Sequence, residues 1–197
     1  MVKPGLRPPG VHQGWQARAA MMAEWPALAD NLNRFYADCE YAPLFSAESL
    51  QTWLNYAPAE QPLHTMYVVV NSNGELLAGC GVSQTYRVRE MHIERLPTSM
   101  QIANRLLQVV PADGVMRPIS LSHLWHQPGR ADALRYLWHT IAWQERGQAN
   151  ALVAYYDPRS QLPAILGLSR WLPKGRLTLV TWQNQPSDSS KLIFPPN

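Results

Sequence analysis

The sequence contains few of the features that identify whole classes of protein. It has two cysteines, Cys39 and Cys80, which are far apart and form neither a CxxC motif nor a zinc-ligand spacing. It has no apolar run of the roughly 20 residues that span a bilayer, and its N-terminus lacks the apolar core of a signal peptide. We therefore expect reduced thiols in a cytoplasmic protein that does not insert into a membrane.

A strong excess of one charge is also missing. The chain has 17 Lys+Arg against 14 Asp+Glu, a net charge of +3, and no dense basic run. Lys3 and Arg7 near the N-terminus are too few to release many counterions from a nucleic acid. The sequence thus predicts a mildly basic, solvated surface and no nucleic-acid partner.

The histidines do not form a pattern typical of a metal site. His123 and His126 lie three residues apart in a predicted strand, where positions three apart point to opposite faces. His139 follows on a predicted helix, and no Asp or Glu clusters with these three residues. Because a GxSxG motif is missing as well, neither a metal centre nor a serine triad is expected.

What the sequence does contain is typical of one folded α/β domain. Apolar residues make up 46% and charged residues 16% of its 197 residues, and it has no internal repeats or long linker. We expect an N-terminal arm over residues 1–14, a single domain over 15–182 and a tail over 183–197. Within that tail, residues 191–194 could form a short edge strand.

Hydrophobic periodicity predicts the order of helices and strands. Helices are predicted over residues 21–38, 49–55 with Ser46 as N-cap, 98–110, from near 130 to 147, and briefly within 158–168. Strands are predicted over 15–19, 66–70, 75–82 with a continuation towards Val88, 119–125, 151–157 and 176–182. The NSNG segment at 71–74 predicts a hairpin turn, and the later strand–helix–strand order predicts a crossover in a mixed sheet.

Gly79 and Gly81 form a GxG pair in the second strand of the hairpin. A dinucleotide-binding fingerprint needs a third glycine and a helix immediately after the strand, whereas position 84 is Gln and the strand pattern continues. We therefore interpret the two glycines as marks of a bulge or of a close approach to the backbone.

The stretch HQPGRA, His126 to Ala131, joins a predicted strand to a predicted helix. The first amides of a helix lack intrahelical partners and carry the positive end of the helix dipole. A glycine in such a turn lets a ligand phosphate approach these amides, and Arg130 adds a positive charge. Because Pro and Gly also punctuate many strand-to-helix turns, the turn alone is compatible with a purely structural role.

The order of these elements resembles the GNAT superfamily of acyl-CoA-dependent N-acetyltransferases. The family motif between the fourth strand and the CoA-binding helix reads Arg or Gln, two residues, Gly, one residue, and Gly or Ala. Gly129 and Ala131 match its small positions, whereas His126 replaces the Arg or Gln and Pro128 removes one amide donor. The resemblance implies an α/β fold with a central mixed, mostly antiparallel sheet flanked by helices.

Through this resemblance, acetyl-CoA or another acyl-CoA is the expected co-substrate. It would lie in a gap between two diverging strands, with its pantetheine on the backbone of residues 123–125 and its pyrophosphate on the turn at 129–131. The CoA-binding residues implied are His123, Leu124, Trp125, His126, Gln127, Gly129, Arg130 and Ala131.

The catalytic residues are less clearly marked. His123 is a candidate general base because the ordinary pKa of histidine lies near neutrality, and Glu90 is a second candidate. Family members often carry a tyrosine on the helix after the fifth strand as general acid, but that segment has none here. Tyr155 and Tyr156 are the nearest tyrosines in sequence, with ordinary strand packing as their alternative role.

The resemblance thus implies an acyltransferase that acts on an amine, carried by a small molecule or a peptide. A homodimer is left open, and the helix predicted at 98–110 is interpreted as an insertion that shapes the acceptor pocket. The departures at His126 and Pro128, together with the missing tyrosine, favour an alternative: a catalytically inactive acyl-CoA-binding or regulatory module with the same fold.

Overall fold

The computed structural model describes residues 8–10, 12–58, 60–95, 104, 110–168 and 190–195. The helix predicted at 98–110, apart from its positions 104 and 110, and the strand predicted at 176–182 lie outside the described residues. In chain order the strands are β1 Trp15–Ala19, β2 Cys39–Glu40, β3 His64–Asn71, β4 Leu76–Ser83, β5 Met91–His92, β6 Val115–Met116, β7 Pro118–His126, β8 Ala151–Ala154 and β9 Leu192–Ile193.

Five of the described strands form the central sheet, in the order β1-β3-β4-β7-β8. The first four are antiparallel to their neighbours, whereas β7 and β8 are parallel and are joined through a helix. This arrangement confirms the predicted mixed, mostly antiparallel sheet and its crossover. Two short pairs, β5 with β6 and β2 with β9, lie outside this sheet.

The described helices are α1 Trp25–Phe35, α2 Ala47–Leu54, α3 Ala131–Gln144 and α4 Leu162–Ile165. Helix α1 is shorter than the predicted 21–38 because residues 22–24 form a separate 3-10 turn before Pro26, which suits a first helical turn. The Ser46 hydroxyl accepts from the Ser49 amide at 3.0 Å, which confirms the predicted N-cap of α2. Among the described helices, none is both long and apolar enough to cross a membrane.

The predicted hairpin is present as β3 and β4. In its turn, the Asn71 side-chain oxygen accepts from two backbone amides, and Gly74 has a φ of +80°, which glycine adopts without strain. The predicted continuation of β4 towards Val88 is wrong, because the chain leaves the sheet after Ser83 and makes a 3-10 turn at residues 85–87. That departure opens one side of the sheet beyond Ser83.

The sheet separates two apolar cores. Alternation along β3 points Val69 towards α3, where it packs with Leu134, Leu137 and Ile141. The neighbouring Val68 points the other way and packs against α1 and α2. Helices therefore cover both faces of the sheet, and each face has its own apolar cluster.

The tail contributes a short strand, although not to the central sheet. Residues 192–193 form β9 and pair in parallel with β2, which follows α1. The Phe194 amide donates to the Glu40 carbonyl at 2.9 Å, and the Phe194 ring is buried against Tyr36. The tail thereby reaches the same face of the sheet as α1 and α2.

Candidate functional site

Strand β7 has neighbours on both sides along only part of its length. Strand β8 pairs with it from Pro118 to Leu121 and ends at Ala154, before the predicted end at residue 157. Strand β7 continues to His126 with β4 on one side and no further described strand on the other. Residues 122–126 therefore present backbone donors and acceptors at an open edge.

A β-bulge lies at the start of this open half. Gly81 pairs with Ser122 and Gly79 pairs with Trp125, so that Cys80 alone faces two residues, His123 and Leu124. His123 has a φ of +51°, in the left-handed region that is rare for a non-glycine residue. The bulge breaks the simple alternation assumed for His123 and His126, and such bulges often re-aim a side chain beside a site.

The GxG pair makes room for this bulge. A Cβ built on Gly79 would lie 2.3 Å from the Trp125 indole nitrogen, and one on Gly81 would lie 2.7 Å from the Trp53 ring. Both glycines thus allow aromatic rings to approach the β4 backbone closely, and a register irregularity separates them. The two glycines were interpreted as marks of a bulge or of a close approach, and the structure shows both.

Two histidines meet at the open half of β7, each held by a serine. The Nδ1 atom of His123 lies 2.8 Å from the Ser122 hydroxyl, and the Nδ1 atom of His64 on β3 lies 2.7 Å from the Ser83 hydroxyl. The ring of Trp53 stacks on His64 at 4.3 Å and lies 4.7 Å from the ring of His123. Sheet register and α2 together assemble this cluster from four segments of the chain.

A cavity of about 320 Å³ opens beside the cluster. Its described lining residues are Trp53, His64, Ser83, Thr85, Arg89, Ser120, Leu121, Ser122 and Tyr155. None of them is acidic, and Arg89 is the one cation among them. The described lining thus combines aromatic walls with hydroxyl groups, a histidine and an arginine.

Both histidines are held in the neutral form at neutral pH. Burial, together with the nearby His64, lowers the pKa of His123 to about 4. Burial also lowers the pKa of His64, which is only half-buried and lines the cavity. A neutral imidazole can accept a proton, and His64 can meet a ligand in the cavity whereas His123 is 4% exposed.

The turn before α3 leaves several amides without partners. Gly129 has a φ of +74°, and a Cβ built on it would meet no atom within 4 Å, so the space beside it is open. The Gln127 and Arg130 amides donate to the Leu77 and Gln127 carbonyls. Pro128 has no amide hydrogen, and within the described chain the other three backbone amides of this stretch have no hydrogen-bond partner: those of Gly129, Ala131 and Asp132. Such a group at a helix N-terminus can bind an anion.

The side chains of the turn are less available than its amides. Gln127 donates to the Asn31 side chain at 2.8 Å and so ties the turn to α1. The Arg130 guanidinium lies 5.0 Å from the centre of the Trp15 ring. The His126 ring packs edge-on against the Phe35 ring, with their centres 5.1 Å apart, and the His126 Nδ1 atom lies 2.8 Å from the Gln127 carbonyl oxygen. The side chains of the turn therefore hold it in place, and three of its backbone amides have no partner within the described chain.

One backbone acceptor of the open half already has a partner. The buried Tyr36 hydroxyl donates to the Leu124 carbonyl at 2.7 Å, and burial raises the pKa of Tyr36 far above its usual range. The Phe194 ring packs on Tyr36 at 4.7 Å. The end of α1 and the tail thus close part of the edge around Leu124.

The other candidate catalytic residues take different positions. Tyr155 follows the end of β8, is 37% exposed and lines the cavity, whereas Tyr156 packs against the α3-side core. Neither lies within β8, because the strand is shorter than predicted. The exposed Glu90 is 2.9 Å from His92 and is not among the described lining residues of the cavity.

A larger cavity, about 600 Å³, lies between α1 and the hairpin turn. Among its described lining residues are Glu24, which pairs with Arg18 at 2.6 Å, and Asn31, which holds Gln127. Neither histidine nor tyrosine is among them. Because the smaller cavity is lined by both a histidine and a tyrosine, it is the better candidate for proton-transfer chemistry.

Sequence reasoning missed His64, Trp53 and Arg89. His64 begins β3 just before the predicted strand, and Trp53 is an ordinary apolar position of α2. Only their meeting with His123 across the sheet distinguishes them. One sequence signal was available: Gly79 and Gly81 indicated that something large approaches β4.

Comparison with known proteins identifies the fold. No family model matches the sequence, and no curated protein matches it. A GCN5-related N-acetyltransferase from Ralstonia eutropha JMP134 is similar in structure, with a TM-score of 0.50 and 14% identity, over 85% of this chain and 99% of that one. A predicted acetyltransferase with acetyl-CoA from Clostridium acetobutylicum has a TM-score of 0.50 and 13% identity, over 85% of this chain and 96% of the other. The chain has the GNAT fold.

Proposed function

We propose that this protein is an acyl-CoA-dependent N-acyltransferase of the GNAT type, which transfers an acyl group to an amine. One observation carries the proposal: the open, bulged half of β7 leads directly into a turn in which three amides have no partner within the described chain. An edge of backbone groups followed by an anion-binding turn suits a molecule with an amide-containing arm and a pyrophosphate.

The residues present fit acyl-CoA. The amides of Gly129, Ala131 and Asp132 would hold the pyrophosphate, and the open space at Gly129 would admit it. Backbone groups along residues 122–126 would hold the pantetheine arm, except the Leu124 carbonyl, which is already bonded to Tyr36. Bound acyl-CoA supplies a thioester whose carbonyl carbon can be attacked by an amine.

We assign proton removal from the acceptor amine to His64 in preference to His123. His64 lines the cavity, is oriented by Ser83 and is neutral at neutral pH, so its free ring nitrogen can accept the proton. The more deeply buried His123 would position Trp53 and the bulge. Tyr155, which also lines the cavity, would donate a proton to the departing thiolate.

The proposal is tested by measuring the CoA affinity of two variants, Gly129→Glu and the matched control Gly129→Asn. Any L-residue at the left-handed Gly129 costs about 1 kcal/mol of stability, and Asn tolerates this region best. Gly129→Asn should therefore retain CoA binding, whereas the carboxylate of Gly129→Glu should weaken it by at least about tenfold. Titration calorimetry or ligand-induced thermal stabilisation measures the difference.

The same titration separates the proposal from its alternatives. Equal CoA affinities of the folded Glu and Asn variants would contradict the phosphate site. Absence of CoA binding by the unaltered protein would contradict both the transferase and the acyl-CoA-binding module. If the protein binds CoA but releases no thiol from acetyl-CoA with any neutral or anionic amine tested, the result would favour the inactive acyl-CoA-binding module. The departures from the family motif at His126 and Pro128 favour the same alternative.

A further inference from the structure

We propose that the acceptor is a small amine that also carries a carboxylate or phosphate, and that Arg89 binds this anion. The inference rests on the proposed function, because it assigns the chemistry of the acceptor to the 320 Å³ cavity. It concerns the class of the acceptor, which the fold leaves open.

The charges of the cavity carry the first step. Arg89 is the one charged side chain among the described lining residues, and no carboxylate accompanies it. A site for polyamines or aminoglycosides needs acidic groups to compensate several positive charges, and an isolated arginine would repel them. The described lining therefore selects against polycationic acceptors and for a molecule with an anionic group.

The state of the Arg89 side chain carries the second step. Its backbone amide donates to the Thr85 carbonyl at 3.0 Å, while its guanidinium has no partner among the described residues. The neighbouring Arg87 is different, because its guanidinium donates to the Pro62 carbonyl at 3.3 Å and to the side chains of Gln84 and Gln61. Arg89 is thus available for the bidentate contact that guanidinium groups make with carboxylate or phosphate.

The size and walls of the cavity carry the third step. A volume of about 320 Å³ lies near the lower end for small-molecule sites and suits one compact metabolite. Trp53 is fixed flat against His64 and provides an apolar wall for a carbon skeleton. An amine near His64 and an anion near Arg89 are two separate anchor points, and together they would orient the acceptor.

The test compares matched amines that differ only in an anionic group. Phenylalanine is compared with phenethylamine for a carboxylate, and O-phosphoethanolamine with ethanolamine for a phosphate. With acetyl-CoA as donor and thiol release as readout, the anionic member of at least one pair should have a KM lower by about fivefold or more, the effect of one partly exposed ion pair. Which pair responds distinguishes a carboxylate from a phosphate.

Two variants show whether Arg89 is the cause. Arg89→Gln should abolish the difference between the two members of the responding pair, and Arg89→Lys should retain part of it. The control Arg87→Gln removes a nearby positive charge outside the cavity and should leave the KM ratio unchanged. Equal KM values within both pairs, an unchanged ratio in Arg89→Gln, or a preference for spermidine would overturn the inference.

A binding measurement separates this inference from the proposed function. If thiol is released but neutral amines are equally good acceptors, the inference fails and the proposed function stands. If no amine is acylated, thermal stabilisation by the same anionic amines in the presence of CoA still tests the site. Stabilisation that disappears in Arg89→Gln supports the anion site although the transferase proposal fails, and its absence in the unaltered protein overturns the site as well.

Discussion

The two halves of strand β7 perform different tasks. Residues 118–121 pair with β8, Ser120 and Leu121 also pair with β4, and Ile119 and Leu121 are almost fully buried against α3. Residues 122–126 keep β4 but lie beyond the end of β8, and their first feature is the bulge at His123. In the first half every residue pairs with β8, whereas in the second β4 is the one described neighbour and the other edge is open.

This difference shows how one strand can separate stability from binding. A parallel neighbour that ends early creates an edge without exposing a whole sheet to aggregation, because helices and the tail cover the faces around it. In the closed half, residues 118–121, the effect of a substitution on stability should depend mainly on the buried side-chain volume that it removes. In the open half, residues 122–126, it should depend mainly on hydrogen bonds and on protonation. Substitutions in the two halves should therefore have different kinds of effect.

The largest expected effect comes from the closed half. Ile119→Ala removes a fully buried side chain from the α3-side core and should lower the free energy of unfolding by about 2–5 kcal/mol. Ser122→Ala, in the open half, removes one hydroxyl and leaves Nδ1 of the buried His123 without that partner, which should cost about 1–3 kcal/mol. Urea denaturation of both variants measures the contrast. Equal losses would show that the two halves contribute alike to stability.

The next effect is a dependence of stability on pH from the open half. The pKa of His123 is about 4 in the folded protein and about 6.5 when unfolded. Between these two pH values the unfolded state binds more protons than the folded state. The contribution of His123 to the free energy of unfolding is therefore complete above pH 6.5 and is lost as the pH falls towards 4. The loss should be on the order of 3 kcal/mol, and His64, whose pKa is also lowered, adds to it.

The variant His123→Asn tests the origin of this dependence. Asn tolerates the left-handed backbone at position 123 and does not titrate, so its stability should change less between pH 7.5 and 4.5. Urea midpoints at both pH values measure the change. A slope identical to that of the unaltered protein would assign the dependence to other groups.

The last expected effect is on the rate of catalysis and concerns His64, beside the open half. His64→Gln should lower the rate of thiol release by about a hundredfold and leave CoA affinity unchanged, because it removes a proton acceptor from the cavity. The exposed His92, outside the cavity, gives the control His92→Gln. Because burial lowers the pKa of His64, the acidic limb of the rate profile should lie below the ordinary histidine value. An unchanged rate in His64→Gln would transfer the base role elsewhere.

Local patterns were good predictors where the structure depends on neighbours in sequence. Ser46 caps α2, the turn at Asn71 and Gly74 closes the hairpin, and the apolar spacing of Leu134, Leu137 and Ile141 places α3 on the sheet. Each of these outcomes follows from backbone preferences or from a period of 3.6 or 2 residues. The ends of strands were less predictable. Strands β4 and β8 end earlier than predicted, because a strand ends where its pairing with a neighbouring strand ends, and the local sequence does not show that point.

By itself, then, the sequence determined the order of elements, the mixed sheet and the turn at Gly129 that follows β7. Only the tertiary structure decided that His64, His123 and Trp53 meet, that Tyr155 and Arg89 line the same cavity, and that Glu90 does not. The reason is physical: periodicity specifies which face a residue occupies, whereas meetings between distant segments depend on strand register. One bulge opposite Cys80 shifts that register, and the two glycines that mark it do not specify which distant side chains it brings together.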